Sequence, residues 1–163
     1  PDRDNVPGIN IGDHALISPG VRISAAHSIT ISDSCMLASQ AYITDSDWHG
    51  IYDRSLTPDT VHPVVLEENV WIGDSAIVCK GVTIGRNSII GAGSVVVSSI
   101  PANVMAAGNP ARVIKQLDPE KEMITRKDRY SNVKKMNKIL AAAEKENLKG
   151  NSFLGWIKSL FFP

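Results

Sequence analysis

One histidine in this chain stands in a setting that could do chemistry. His49 follows Trp48 and precedes Gly50 in the polar segment TDSDWHGIYDRSLTPDTVHP, which carries two His, four Asp, one Arg and two Pro. An imidazole of ordinary pKa, about 6.5, can take a proton from a hydroxyl as that hydroxyl attacks and return it to a leaving group, a contribution of roughly 10²–10⁴-fold. Asp45 and Asp47 lie near enough in sequence to orient the ring, and Trp48 and Arg54 are the segment's candidates for gripping an acceptor. The plain alternative is that His49 is an ordinary polar loop residue, and spacing alone does not separate the two. Neither Cys35 nor Cys79 lies in this segment or beside another candidate base, so no thiol nucleophile is expected.

The elements that must hold such a loop repeat every six residues. Ile11, Ile17, Ile23 and Ile29 share one frame; after a two-residue slip Ile31, Leu37 and Ile43 continue it, and Leu66, Ile72, Val78, Ile84, Ile90 and Val96 complete it. The position after each is often small, as in Gly12, Gly73, Gly85 and Gly91. Six is the wrong period for a helix, whose apolar stripe recurs at three and four, and a βαβ unit needs a dozen or more residues between strands. Short flat strands joined by tight corners fit it: three units close one triangular coil, and aliphatic residues of successive coils stack inward as ladders. The expected fold is therefore an all-β solenoid, a parallel β-helix of about five coils over residues 9 to about 113. Residues 44–63 break the frame as an inserted loop. Loops of that length on a rigid scaffold commonly carry function.

Composition narrows the choices further. Seventeen Lys plus Arg balance seventeen Asp plus Glu in 163 residues, which argues against a nucleic-acid partner. With 43% hydrophobic and 6% aromatic residues, the core must be aliphatic. No apolar run reaches the length of a bilayer span. Two cysteines inside aliphatic segments fit a reducing, cytoplasmic setting, and no signal peptide is visible after Pro1.

The stretch NVWIGDSAIVCKGVTIGRNSIIGAGSVV, followed by IPANVMAAGNPARVIK, resembles the C-terminal half of the hexapeptide-repeat acyltransferases, and within them the branch of galactoside and maltose O-acetyltransferases. The resemblance implies a left-handed β-helix and a homotrimer whose active sites lie between subunits. It also implies acetyl-CoA along the groove between neighbouring β-helices, and a loop histidine as base, without a metal. Carried over by position, His49 matches the catalytic histidine and Trp71 the tryptophan beside acceptor and thioester. Gly73 and Asp74 fall where backbone approaches the pantetheine end, and Ala92 matches the small residue whose main chain bonds the pantetheine arm. Arg112 and Lys115 match cationic positions near the nucleotide phosphates. Ser98 and Ser99 stand where many relatives carry Thr-Lys, so one cationic cofactor contact is absent, while Ser98 is kept among the cofactor-binding candidates. Gly73 and Ala92 would be small in any β-helix, whereas His49 and Arg112 have no such geometric reason.

After the solenoid, Asp118-Pro119-Glu120 reads as a helix start, and Met123, Tyr130, Val133, Met136, Leu140 and Ala143 recur at helical spacing. Residues 116–163 are thus expected to form a C-terminal α-helical extension to a domain over residues 1–115. This extension is net positive and ends in SFLGWIKSLFFP. Burial of that aromatic tail on the trimer is the first expectation, and peripheral contact with the inner face of a membrane is the second. The combined reading is an acetyl-CoA-dependent O-acetyltransferase acting on a saccharide or glycan precursor. The alternatives are N-acetyl transfer to an amino sugar and a non-catalytic assembly subunit. A zinc site of the γ-type carbonic anhydrase kind is disfavoured, because His14, His27, His49 and His62 form no close pair in sequence.

Overall fold

In the computed structural model, which describes residues 8–56, 60–131 and 133–147, the six-residue units become the rungs of a three-sided solenoid. The first face stacks β1 (Gly8–Ile11), β4 (Ser28–Ile31), β7 (Val64–Leu66) and β10 (Thr83–Ile84). The second stacks β2 (Leu16–Ile17), β5 (Met36–Leu37), β8 (Trp71–Ile72), β11 (Ile89–Ile90) and β13 (Val104–Gly108). The third stacks β3 (Arg22–Ser24), β6 (Tyr42–Thr44), β9 (Ile77–Val78) and β12 (Val95–Val96). All of these pairings are parallel; β14 (Ala111–Gln116) then folds back antiparallel on β13.

Every residue of the aliphatic frame from Ile29 onward faces inward and is fully buried. Each such side chain contributes about 1.5–3 kcal/mol relative to an exposed position. In the first coil the same frame lies at an open end, and Ile11 and Ile17 remain 49% and 41% exposed.

Coil length is not constant. Trp71 pairs with Ile89, eighteen residues on, the value three hexapeptides require. Gly8 pairs with Ser28, twenty on, and the two extra residues sit at the Ala25–His27 corner, which is the physical form of the slip between Ile29 and Ile31. Met36 pairs with Trp71, thirty-five on, because this coil carries the inserted loop.

Corners follow a strict backbone rule. Between the first and second faces the left-handed conformation recurs at His14, Ser34, Asn69, Asn87 and Asn103, with φ from 58° to 61°. Short polar side chains tolerate this conformation best. Here the asparagines also join one another: Asn69 Nδ2 donates to Asn87 Oδ1 at 3.0 Å, and Asn87 Nδ2 donates to Asn103 Oδ1 at 2.9 Å. Gly73 and Gly85 have a different reason to be small. A Cβ on Gly73 would sit 2.6 Å from both Ala92 N and Ile90 O, because the next coil's backbone passes directly over it.

The helix expected to start at Asp118 starts later. Residues 117–127 run as a strap from the last coil to the first two: Leu117 N donates to Asn103 O at 2.8 Å, Arg126 Nε to His14 O at 2.9 Å, and Lys127 N to Ser34 Oγ at 3.2 Å. Asp118 caps only a local turn, through Glu120 N at 3.0 Å. α1 (Arg126–Ser131) and α2 (Val133–Asn147) follow, and the chain divides into compact units after Lys127 rather than at residue 115. On α2, Ile139 and Leu140 are exposed; the side chains of Val133 and Met136, and the whole aromatic tail, lie outside the described residues. No described helix is long and apolar enough to cross a membrane.

Candidate active site

The inserted loop leaves the solenoid after β6 and returns before β7, so it stands at the corner between the third and first faces. Its base is tied down by contacts that do not repeat elsewhere. Ser46 and Val61 pair as an antiparallel bridge, and His62 N donates to Asp45 O at 3.0 Å. Lys80, one coil on, ion-pairs with Asp47 and donates to Thr60 Oγ1 at 3.2 Å, so one ammonium holds both limbs of the loop.

At the tip, His49 is exposed, and its Nδ1 lies 3.0 Å from the carbonyl oxygen of Arg54. A carbonyl only accepts, so Nδ1 carries the proton; in the neutral ring Nε2 then keeps its lone pair for an incoming proton. The turn that presents this carbonyl is closed by Gly50 N to Leu56 O at 3.1 Å and by Asp53 Oδ1, which accepts from Ser55 N at 3.0 Å and from Ser55 Oγ at 2.6 Å. These two bonds hold the Asp53 carboxyl below its ordinary value.

Neither aspartate expected to orient the ring contacts it through any hydrogen bond or ion pair. Asp45 is fully buried, and its carboxylate accepts from Ala26 N, His27 N and Ser28 N, each at 2.7 Å. It fastens the corner that holds the two extra residues of the first coil. Asp47 is engaged by Lys80. The orienting partner is instead a backbone carbonyl five residues on, and Arg54 enters the site through that carbonyl.

Trp48 adopts φ 66°, a costly conformation for a bulky residue. Its N donates to Ser46 Oγ and its Nε1 to Thr44 Oγ1, both at 3.0 Å, which pins a 40% exposed indole next to His49. On the third face below it lies a residue that sequence reasoning missed. Tyr42 is half-buried, and burial alone raises a phenol. Hydrogen-bonding groups of Thr44, Ser24 and Trp48, with the nearby charge of Arg22, outweigh that and bring it below its ordinary value. The Arg22 guanidinium sits over its ring at 4.4 Å. The usable signal was the coil offset: twenty residues separate Arg22 from Tyr42.

The remaining candidates gather elsewhere. Gly73, Asp74 and Ala92 share the corner between the second and third faces, where Gly93 N donates to Asp74 O at 2.7 Å. Arg112 joins that edge through β14, opposite Ala107, with its Nη1 on Ala111 O at 2.9 Å. Lys115 pairs opposite Met105, farther along the same strand, and Trp71 is 44% exposed on the second face. Ser98 lies on the loop's corner, two coils beyond it, with Ser99 Oγ bonded to Thr83 N at 3.0 Å. Apart from Trp71 and Lys115 on the second face, the candidates thus fall on the two edges that bound the third face. Among the described residues, no group of three or more His, Cys, Asp or Glu could hold a metal ion.

The family model for bacterial transferase hexapeptide repeats, six repeats in length, matches residues 63–98. The chain belongs to the hexapeptide-repeat acyltransferase family. It is 35% identical over 112 residues to galactoside O-acetyltransferase of Escherichia coli K12, covering 68% of this chain and 55% of that protein. Among solved structures it is similar to the hexapeptide-repeat acetyltransferase VCA0836 of Vibrio cholerae, with TM-score 0.64 and 33% identity, covering 68% of this chain and 63% of that one. A second structure of VCA0836, complexed with acetyl coenzyme A, aligns with TM-score 0.54 and 27% identity over 67% of this chain and 71% of that one. The chain spans little more than half the length of the curated galactoside enzyme.

Proposed function

We propose that this chain is an acetyl-CoA-dependent O-acetyltransferase that modifies a hydroxyl of a saccharide or glycan precursor, with His49 as general base. The observation that carries the reading is the His49 Nδ1 contact with the Arg54 carbonyl at 3.0 Å, which leaves Nε2 as the proton acceptor on an exposed loop. His49 Nε2 takes the hydroxyl proton as the oxygen attacks the acetyl carbon, and the same ring hands it to the departing sulfur. Arg54 keeps the tautomer fixed through its main chain, and Lys80 holds the loop in place.

The residues along the second edge fit the donor. Ala92 and Gly93 are exposed, small, and leave backbone approachable; nothing lies within 4 Å of where a Cβ on Gly93 would stand. The exposed guanidinium of Arg112 continues that edge toward the last coil and suits phosphate oxygens. Bound there, acetyl-CoA supplies an activated acetyl group. The complex of VCA0836 with acetyl coenzyme A supports the same donor here.

A trimer is part of the proposal. Outward residues of the second face, Leu16, Met36, Trp71, Ile89 and Met105, and of the third face above Tyr42, Ile77 and Val95, are apolar. Those of the first face, such as Asn10, Thr30 and Thr83, are mostly polar. A cyclic assembly needs two unlike sticky surfaces on each subunit, and these two faces supply them. Burial of Ile51, Tyr52 and Leu56, now 61% exposed or more on the loop, against a neighbour fits the same arrangement.

The test is a thiol-release assay with acetyl-CoA across neutral sugars, acidic sugars, sugar nucleotides and amino sugars, run beside a sedimentation measurement. Acetyl ester on a sugar hydroxyl, made by a trimer, is the expected product. Acetyl transfer confined to amines overturns O-transfer, and no transfer with any acceptor overturns the enzyme reading.

A further inference from the structure

The third face carries one charge. Its strands read RIS, YIT, IV and VV, and Arg22, Tyr42, Ile77 and Val95 stand in one outward column through the paired registers. Arg22 is exposed, sits over the Tyr42 ring at 4.4 Å, and among the described residues pairs with no carboxylate. The acids that follow β6, the strand paired with Arg22's own, are already committed: Asp45 to three backbone N–H groups of the first coil, and Asp47 to Lys80. An arginine stacked on an aromatic ring keeps the edge of its fork free for a planar anion. Beside it stand the hydroxyl of Ser24, then the exposed indole of Trp48, pinned through its Nε1 on the buried Thr44 Oγ1, then His49, the next residue in the chain. A sugar ring stacks on an indole, hydroxyls bond to hydroxyls, and a guanidinium selects a carboxylate. All three offers stand on β3, or on the loop that its partner strand β6 leads into and that carries the base.

We infer that the acceptor is an acidic saccharide, whose carboxylate is received by Arg22 over Tyr42 while its ring rests against Trp48 and presents a hydroxyl to His49. This inference rests on the transfer reaction proposed above and adds the substrate class. Arg22 is therefore a specificity residue, acting on acceptor affinity and not on the proton transfer.

The experiment uses the full chain with a glucuronic acid-terminated disaccharide and its glucose-terminated counterpart. Affinity is measured by calorimetry without acetyl-CoA, and KM and kcat are measured separately by thiol release. The acid sugar is expected to bind about tenfold more tightly, with the difference in KM and not in kcat, and 0.5 M salt, about three times physiological ionic strength, to erase most of it. Arg22→Gln brings the preference to about twofold or less, and Arg22→Lys, which keeps charge but loses the planar fork, falls between. Unchanged acetyl-CoA affinity and unfolding temperature report that the variants are folded; if Arg22→Gln does not fold, Arg22→Lys and the salt series on the unaltered chain decide the matter. Equal affinity for the two sugars, or a preference that survives Arg22→Gln, overturns the inference while leaving O-transfer intact. Arg22-dependent binding of the acid sugar without acetylation of any acceptor overturns the transfer reading and leaves the subsite standing.

Discussion

Two corners of the same solenoid handle polar groups in opposite ways. Between the first and second faces, equivalent residues of successive coils bond to each other, Asn69 to Asn87 to Asn103, so each polar side chain is satisfied by its own repeat. Between the third and first faces the repeat is interrupted, and polar groups find partners far from equivalent positions: Asp45 with residues 26–28, Lys80 with Asp47 and Thr60, His49 with Arg54. A self-satisfied column has nothing left to offer a ligand. The broken column leaves Nε2 of His49 without a protein partner among the described residues and open to a ligand. In a repeat fold, reactivity is placed where the repetition fails, on a base made rigid by the coils that keep it.

The contrast can be broken most sharply at His49. His49→Ala is expected to lower kcat for acetyl transfer by roughly 10²–10⁴-fold with no change in unfolding temperature, because the loop tip stabilises nothing beneath it. Undiminished turnover in that variant would falsify the division of labour between the corners.

Asp45 tests the buried foot of the same corner. Asp45→Asn presents an NH₂ group to backbone N–H donors and is expected to cost about 3 kcal/mol, read as a lower urea midpoint, with activity lost only in proportion to the unfolded fraction. At the regular corner, Asn87→Ala removes both bonds of the ladder and keeps a left-handed backbone, for an expected loss of about 2 kcal/mol and unaltered KM values. Should Asn87→Ala change acceptor KM, the regular column is not merely structural. Lys80→Met has a smaller effect on stability, within about 1 kcal/mol for a part-exposed pair, but lets the loop limbs part. Its mark is a several-fold fall in kcat that Lys80→Arg restores.

The smallest effect belongs to the interior. Burial pushes the Cys35 thiol up from 9.0 to about 11, while its Sγ donates to Glu67 O at 3.1 Å. The folded chain therefore holds this proton through a range where the unfolded chain releases it, so stability falls as pH rises from about 9 to about 11. Cys35→Ala should flatten that alkaline slope in a series of unfolding curves; an unchanged slope assigns it to other groups.

The frame of Ile11 to Val96 made the coils legible in the sequence, because period six admits few other folds, and the break in that frame placed His49 in its loop. The slip between Ile29 and Ile31 was visible as a slip. Its cause was not, since the corner is fastened by an aspartate seventeen to nineteen residues away. Nearness in sequence misassigned Asp45 and Asp47 for the same reason: their partners lie in neighbouring coils, residues 26–28 for Asp45 and Lys80 for Asp47. Lys80, Arg22 and Tyr42 escaped because their contacts cross coils, and the offset between coils is fixed only when the length of each corner is known. The start of the C-terminal helix was misplaced because Asp118 and Pro119 are equally good at opening a turn, and hydrogen bonds to the first coil draw the following residues out straight.

That drawn-out strap changes how the molecule should come apart. A stack in which each layer touches only its neighbours melts inward from whichever extremity is weaker, and here the opening rung, with Ile11 and Ile17 half uncovered, is the weak one. By tethering the final layer to His14 and Ser34, residues 117–127 join the two extremities, so that peeling either one must first release the other. A linear stack becomes a ring in its connectivity, and loss of the segment around Arg126 should convert a single cooperative transition into a gradual erosion beginning at the N-terminal rung.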